Sequence, residues 1–109
     1  MKGKIVLVPF PFTDLTAAKL RPALVIYEGE KDVVLSFISS KIPHKSSNVD
    51  IVLKESHTGF KKSGLKLDSV IKLDKIATVL KDLIMGELGE LDDDLRSEVN
   101  GKLRNIFEI

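Results

Sequence analysis

The sequence contains no cysteine, which removes disulfides, thiolate nucleophiles and cysteine-based zinc sites and leaves the core to supply stability alone. Its two histidines, His44 and His57, sit in no paired-ligand spacing, so metal chemistry is poorly served and neither metal nor cofactor is expected. Tryptophan is absent too, and with it a common interface anchor. The longest apolar runs are four or five residues, against the roughly 18 of a membrane span. The basic start Met1-Lys2-Gly3-Lys4-Ile5 leads only into a short apolar stretch ended by Pro9, so no signal peptide is expected. No membrane partner is expected, and a cytoplasmic location follows by default.

What is present is an ordinary globular composition, 43% hydrophobic and 30% charged, in a chain of 109 residues. That length closes one core but not two, so residues 1–109 are read as a single domain. The net charge of +1 hides an asymmetry: residues 1–81 carry 14 Lys/Arg against 8 Asp/Glu, and residues 82–109 carry 3 against 8. The positive part concentrates at Lys41, Lys45, Lys54, Lys61, Lys62 and Lys66, opposed in that stretch only by Asp50 and Glu55. A local basic field of this kind attracts polyanions even when the whole chain is near neutral. It is equally the composition of a solvated surface.

Hydrophobic period predicts a β-rich chain. Lys4 to Val8 reads as a buried strand that Pro9-Phe10-Pro11-Phe12 should end, because proline cannot donate to a ladder. A polar connector, Thr13 to Lys19, follows. Pro22 to Tyr27 and Asp32 to Ile38 are β-branched runs separated by Glu28-Gly29-Glu30-Lys31, short enough for a hairpin. Ser39 to Asn48 is the clearest loop. Val49 to Leu53 is a further strand, Thr58 to Gly64 a turn region, and Lys66 to Leu73 and Ile76 to Leu80 two more short strands. Turns at such intervals favour a small barrel over an open parallel sheet.

The period then changes. Leu88, Leu91, Leu95, Val99, Leu103 and Ile106 are three or four residues apart, which lays an apolar stripe along a C-terminal helix. Asp92, Asp93 and Asp94 stand where one carboxylate can cap free N–H groups and the others meet the positive end of the dipole. Asp92 with Arg96 and Glu98 with Lys102 are expected i, i+4 pairs. Gly101 inside this helix costs about 1 kcal/mol relative to alanine.

Arg21 precedes Pro22, which biases it toward extended backbone at the mouth of a buried run. A guanidinium is a planar fork of donors suited to phosphate, and its charge can stabilise a phosphorane. A structural ion pair with Asp14 or Asp68 is the other reading. Ser39 and Ser40 lie where a strand runs out into the polar loop, although hydroxyls there often bond local backbone. An antiparallel hairpin would set the start of its first strand, at Arg21, beside the end of its second, at Ser39. His44, just beyond, titrates near neutrality. Asp68 and Ser69 are expected to cap a turn, or to bond Arg21.

Val8-Pro9-Phe10-Pro11-Phe12-Thr13-Asp14, Lys19-Leu20-Arg21-Pro22-Ala23-Leu24-Val25-Ile26, Phe37-Ile38-Ser39-Ser40-Lys41 and Gly64 through Ile76 together resemble the MazF/PemK toxin pattern, in order and over almost the whole chain. The resemblance implies an SH3-like barrel of five to seven short strands with a C-terminal helix, a β-rich α+β fold. It also implies a homodimer, a cognate antitoxin peptide that inhibits the toxin and binds DNA with it, and metal-independent, sequence-selective cleavage of single-stranded RNA. In that family the ribose 2′-hydroxyl attacks the adjacent phosphate and leaves a 2′,3′-cyclic phosphate and a 5′-hydroxyl. The family's catalytic arginine maps onto Arg21, and its usual threonine onto Ser39, which keeps the hydroxyl but loses the rotamer-restricting methyl. Thr13, Thr16, Lys19, Ser40, Lys41 and His44 are then the candidate substrate-binding residues. An arginine with pKa above about 12 is a poor base, so Arg21 is assigned to transition-state charge and the base stays unassigned. Two competing readings are a CcdB-like toxin acting by protein contact through the apolar end Ile106-Phe107-Glu108-Ile109, and a catalytically silent SH3-like binding module.

Overall fold

The computed structural model of the protein describes residues 1–10 and 19–109. In these the chain forms β1 (Lys4–Phe10), β2 (Lys19–Glu28), β3 (Asp32–Ser39), β4 (Asp50–Leu53), a one-turn α1 (Phe60–Ser63), β5 (Ser69–Leu80), a 3-10 turn at Lys81–Leu83, β6 (Gly86–Glu90) and α2 (Asp93–Phe107). The strands make one six-stranded antiparallel sheet in the order β4-β5-β3-β2-β1-β6, curled into a half-barrel. The expected small barrel with a C-terminal helix is what is found.

Strand alternation sends side chains to two faces, and each face has its own core. On one, Ile5, Leu24, Ile51, Leu53, Ile71 and Leu73 pack with Leu91, Leu95 and Val99, so α2 lids this side with the stripe read from its 3.6-residue period. On the other, Val6, Val8, Ala23, Val25, Val33, Leu35 and Val79 form a second cluster. Its described members come from strands plus Ile84, and Val6, Val8, Val33 and Leu35 are wholly buried. Phe37, Ala77 and Ile84 pack against them.

Several expectations need correction. Pro9 does not end β1, which continues to Phe10 with Pro9 opposite Leu20. β6 pairs only with Lys4 to Leu7, so Pro9 lies on a stretch with one open side, where a missing N–H is tolerated. Lys66 to Leu73 and Ile76 to Leu80 are not two strands: Ser69 to Leu80 is one strand, bent where the β3 register jumps from Ser36 opposite Ile76 to Phe37 opposite Lys72. The Thr58 to Gly64 turn holds α1. Leu88 belongs to β6, not to the helix.

α2 begins as expected, with the Asp92 carboxylate accepting the Leu95 N–H at 2.8 Å. The two i, i+4 ion pairs are not formed. Arg96 instead donates to the Leu91 carbonyl at 3.2 Å and to Glu90 at 3.2 Å, and Lys102 donates to the Asp50 carbonyl at 2.7 Å. Tertiary acceptors outcompete a solvated neighbour one turn away, whose attraction is worth only a few tenths of a kcal/mol.

Candidate functional site

A groove of about 1000 Å³ opens along one rim of the sheet. Leu7 and Phe10 come to it from β1, Arg21 and Pro22 from β2, Phe37 to Ser39 from β3, Ser40 and Lys41 from the loop beyond, Gly64 to Leu67 from the link after α1, Ser69, Lys72 and Asp74 to Ile76 from β5, and Leu88 from β6. Its charged described members are Arg21, Lys41, Lys66, Lys72 and Lys75 against Asp74. An apolar floor with a cationic rim favours a polyanion that also carries flat apolar groups.

The hairpin argument explains how Arg21 and Ser39 reach the same place. β2 and β3 pair with Ala23 opposite Phe37 and Leu24 opposite Ser36; two residues further along each strand stand Arg21 and Ser39. Arg21 is exposed at the end of β2 opposite Val8, and among the described residues no carboxylate pairs with it. The two partners considered for a structural ion pair fall away differently: Asp14 lies outside the described residues, and Asp68 accepts the Glu55 N–H at 2.7 Å. Ser69 donates to the Leu67 carbonyl at 2.8 Å. Ser69 therefore serves a local turn, while Asp68 ties the start of β5 to the chain just beyond β4.

The Ser39 hydroxyl accepts the Lys41 N–H at 3.0 Å, a local bond that turns the chain out of β3 and brings Ser40 and Lys41 onto the rim. Its own O–H and second lone pair are left for another partner. Gly64 ends α1 at φ 74°, and a side chain there would collide with the Leu88 carbonyl. The bare backbone lets the link Leu65-Lys66-Leu67 turn over β6 into the groove.

Of the remaining candidates, Thr13 and Thr16 lie outside the described residues. Lys19 is exposed opposite Phe10 and His44 is exposed in the loop; neither lines the groove. His57 accepts the Gly59 N–H through Nδ1 at 2.8 Å, which occupies it in the turn before α1. Among the described residues no cluster of three or more His, Asp or Glu is arranged to hold a metal ion, and no helix is long and apolar enough to cross a membrane.

Sequence reasoning missed the β5 contribution. Asp74 and Lys75 reach the groove where residues 73–75 bulge out of the β3–β5 ladder, and Lys72 reaches it from its paired position opposite Phe37. Leu73 stays buried, its N–H donating to Val49 at 2.8 Å, while the residues after it are turned outward. Bulges re-aim side chains in this way beside functional sites. The signal available was the break in alternation at Leu73-Asp74-Lys75, which was read as a gap between strands. The second omission is Phe10 and Phe37, whose rings meet at a tilt of 54° with centroids 5.1 Å apart and which both line the groove.

A profile of the family described as PemK-like, MazF-like toxin of type II toxin–antitoxin system matches residues 1–107. No curated protein sequence matches the chain. Among solved structures, the Mycobacterium tuberculosis toxin MazF-mt6 is 16% identical, with a TM-score of 0.72 over 97% of this chain and 97% of that one. A MazE–MazF structure from Deinococcus radiodurans is 20% identical, with a TM-score of 0.73 over 99% and 95%. An endoribonuclease in complex with its cognate antitoxin, from a mycobacterial species, is 18% identical, with a TM-score of 0.69 over 96% and 91%. At these identities the likeness is one of fold.

Proposed function

We propose that this chain, which belongs to the PemK-like, MazF-like toxin family of type II toxin–antitoxin systems, cleaves single-stranded RNA in the groove that holds Arg21 and Ser39. The observation that carries the reading is the convergence, on one cationic groove, of an arginine with no carboxylate partner among the described residues and a strand-end hydroxyl. The ribose 2′-oxygen attacks the adjacent phosphorus, the bond to the 5′-oxygen breaks, and the products carry a 2′,3′-cyclic phosphate and a 5′-hydroxyl. Arg21 clamps the non-bridging oxygens where negative charge develops, and Ser39 donates to the same group. The attacking hydroxyl must lose its proton to an acceptor, which a guanidinium is not. Asp74 is the one carboxylate among the described groove residues and takes that part. Lys41, Lys66 and Lys72 hold flanking phosphates, and Phe10 and Phe37 offer a stacking surface to an unpaired base.

The partners that go with this reading are a second copy of the chain and a cognate antitoxin polypeptide. One of the neighbours of like fold is an endoribonuclease held with its antitoxin.

The test is incubation of the purified protein with long single-stranded RNA in EDTA, followed by mapping of fragment ends. Cyclic phosphate ends are expected. Arg21→Ala should lower the cleavage rate by about 10²–10³-fold, the usual loss for an oxyanion-stabilising donor, in a protein that stays folded because the side chain is exposed. Intact RNA with the wild-type protein refutes the reading and favours protein-contact inhibition, for which the exposed Phe107 at the end of α2 is the available anchor.

A further inference from the structure

We propose that Asp50 is a positioning residue for the nucleic-acid groove, acting through Lys72; the inference rests on the RNA-binding reading above. Asp50 lies away from the groove lining and is only 6% exposed. A buried carboxylate is costly unless its oxygens are matched, and these are. One oxygen faces the Lys72 ammonium at 3.9 Å. The other accepts the Ser47 N–H at 3.1 Å and the Ser47 hydroxyl at 3.3 Å.

The ladder explains why this pair forms. Asp50 and Lys72 are directly opposite on β4 and β5, where opposite charges attract. On its other side Lys72 is opposite Phe37, and its carbonyl accepts the Ser36 hydroxyl at 2.7 Å. The Lys72 backbone is thus fixed from β3, its ammonium is drawn by β4, and the side chain lines the groove. Behind Asp50, Lys102 of α2 donates to its carbonyl at 2.7 Å, which ties the short β4 to the helix.

A free lysine on a four-carbon stem loses much rotamer entropy when it docks on a phosphate. One already drawn toward a buried carboxylate loses less, so its contact contributes more to binding. The ammonium has three donors and the separation from Asp50 is long, so donors remain for a backbone phosphate beside the scissile one. The second grip, on Ser47, fixes the turn that enters β4 and holds the carboxylate in place. Asp50 therefore sets the β5 part of the cationic wall without touching the ligand.

The experiment measures binding of a mixed-sequence, single-stranded 2′-O-methyl oligoribonucleotide, which lacks the attacking hydroxyl, over a range of salt concentrations. Wild type, Asp50→Asn, Lys72→Met and the double variant are compared, with circular dichroism and thermal melting to establish folding. Each single variant should weaken binding by about tenfold, the lower end of the scale of one charge-assisted contact, and flatten the salt slope by about 0.7, that of one phosphate on a single strand. The double variant should bind no more weakly than either single one. Effects that multiply in the double variant, or an Asp50→Asn protein with unchanged affinity and slope, overturn the proposal. A purely structural Asp50 would change melting without this coupling. If the asparagine variant does not fold, the same cycle is run with Asp50→Ser, which keeps a hydroxyl for the loop. Wild-type protein that cuts RNA without the coupling overturns this inference alone; wild-type protein that neither binds nor cuts overturns the functional reading and this inference with it.

Discussion

Gly101 is the residue at which a small change has the most calculable effect. It lies inside α2, nine residues beyond the Asp92 cap, and its φ is not among the positive ones. A Cβ built on it meets nothing within 4 Å, so Gly101→Ala adds no clash and leaves the helix backbone unchanged. The gain is therefore the full helix-propensity difference, about 1 kcal/mol, most of it from the reduced freedom of the unfolded chain. With an unfolding entropy of about 2 cal/mol/K per residue, a chain of this length should melt about 4 °C higher. In urea the midpoint should rise by about 0.5 M with the slope unchanged. Gly64→Ala is the internal control: at φ 74° and against the Leu88 carbonyl, the same methyl must destabilise. RNA cleavage by Gly101→Ala should match wild type, because Gly101 lies outside the groove. A lower midpoint, or none of the expected gain in a protein whose slope is unchanged, would mean that α2 is not helical through residue 101 or that its exposed side is covered.

Two further outcomes follow from the geometry. Glu28 accepts the Met1 terminal ammonium at 2.7 Å and the Lys81 ammonium at 2.9 Å, and these hydrogen bonds, the terminal one first, lower its pKa from the usual 4.5 to about 2. Because the folded value is the lower one, the stabilisation is present above the unfolded carboxylate range and is lost as pH falls from about 4.5 toward about 2. Urea titrations at stepped pH should show that loss in wild type and a flatter profile in Glu28→Gln; a profile unchanged by the substitution refutes the link, and added salt should shrink it, since the site is exposed. Ser39→Thr restores a branched, rotamer-restricted hydroxyl and should keep or raise RNA cleavage measured on a fixed substrate, whereas complete loss would place the second site residue elsewhere.

Much of this arrangement was legible in the order of residues, because β1 to β4 are short apolar, β-branched runs bounded by polar turns, and the Glu28 to Lys31 turn is short enough to join β2 and β3 as a hairpin. Antiparallel pairing made the approach of Arg21 and Ser39 at the open end of that hairpin predictable, while the one-residue register shift at Ile26 that aligns them was not. What escaped depends on partners distant in sequence. Gly86-Glu87-Leu88-Gly89-Glu90 has little strand propensity of its own, and becomes β6 only because β1 offers it an edge; with Leu88 spaced three residues from Leu91, it reads equally well as the start of the helical stripe. The cationic wall from β5 was hidden for a related reason. Three bulged residues look like the end of one strand and the start of another unless β3 is seen running past them. Arg96 and Lys102 had plausible neighbours one helical turn away, but Arg96 turns back to Glu90 and reaches the Lys2 carbonyl, and Lys102 reaches the Asp50 carbonyl across the fold.

The pairing of β1 with β6 also governs when the groove can exist. Its wall is gathered from Leu7 through Leu88, so nearly the whole length of the chain must be present before the rim is complete. A chain still being made on a ribosome carries Arg21 and Ser39 early, but the link at Gly64 has no Leu88 to rest on, and β1 has only one neighbour. Sheets assembled from such distant segments form late and slowly. The groove is thus incomplete through most of synthesis, and the RNA cleavage proposed for it would be withheld from the message being translated until the polypeptide is nearly finished.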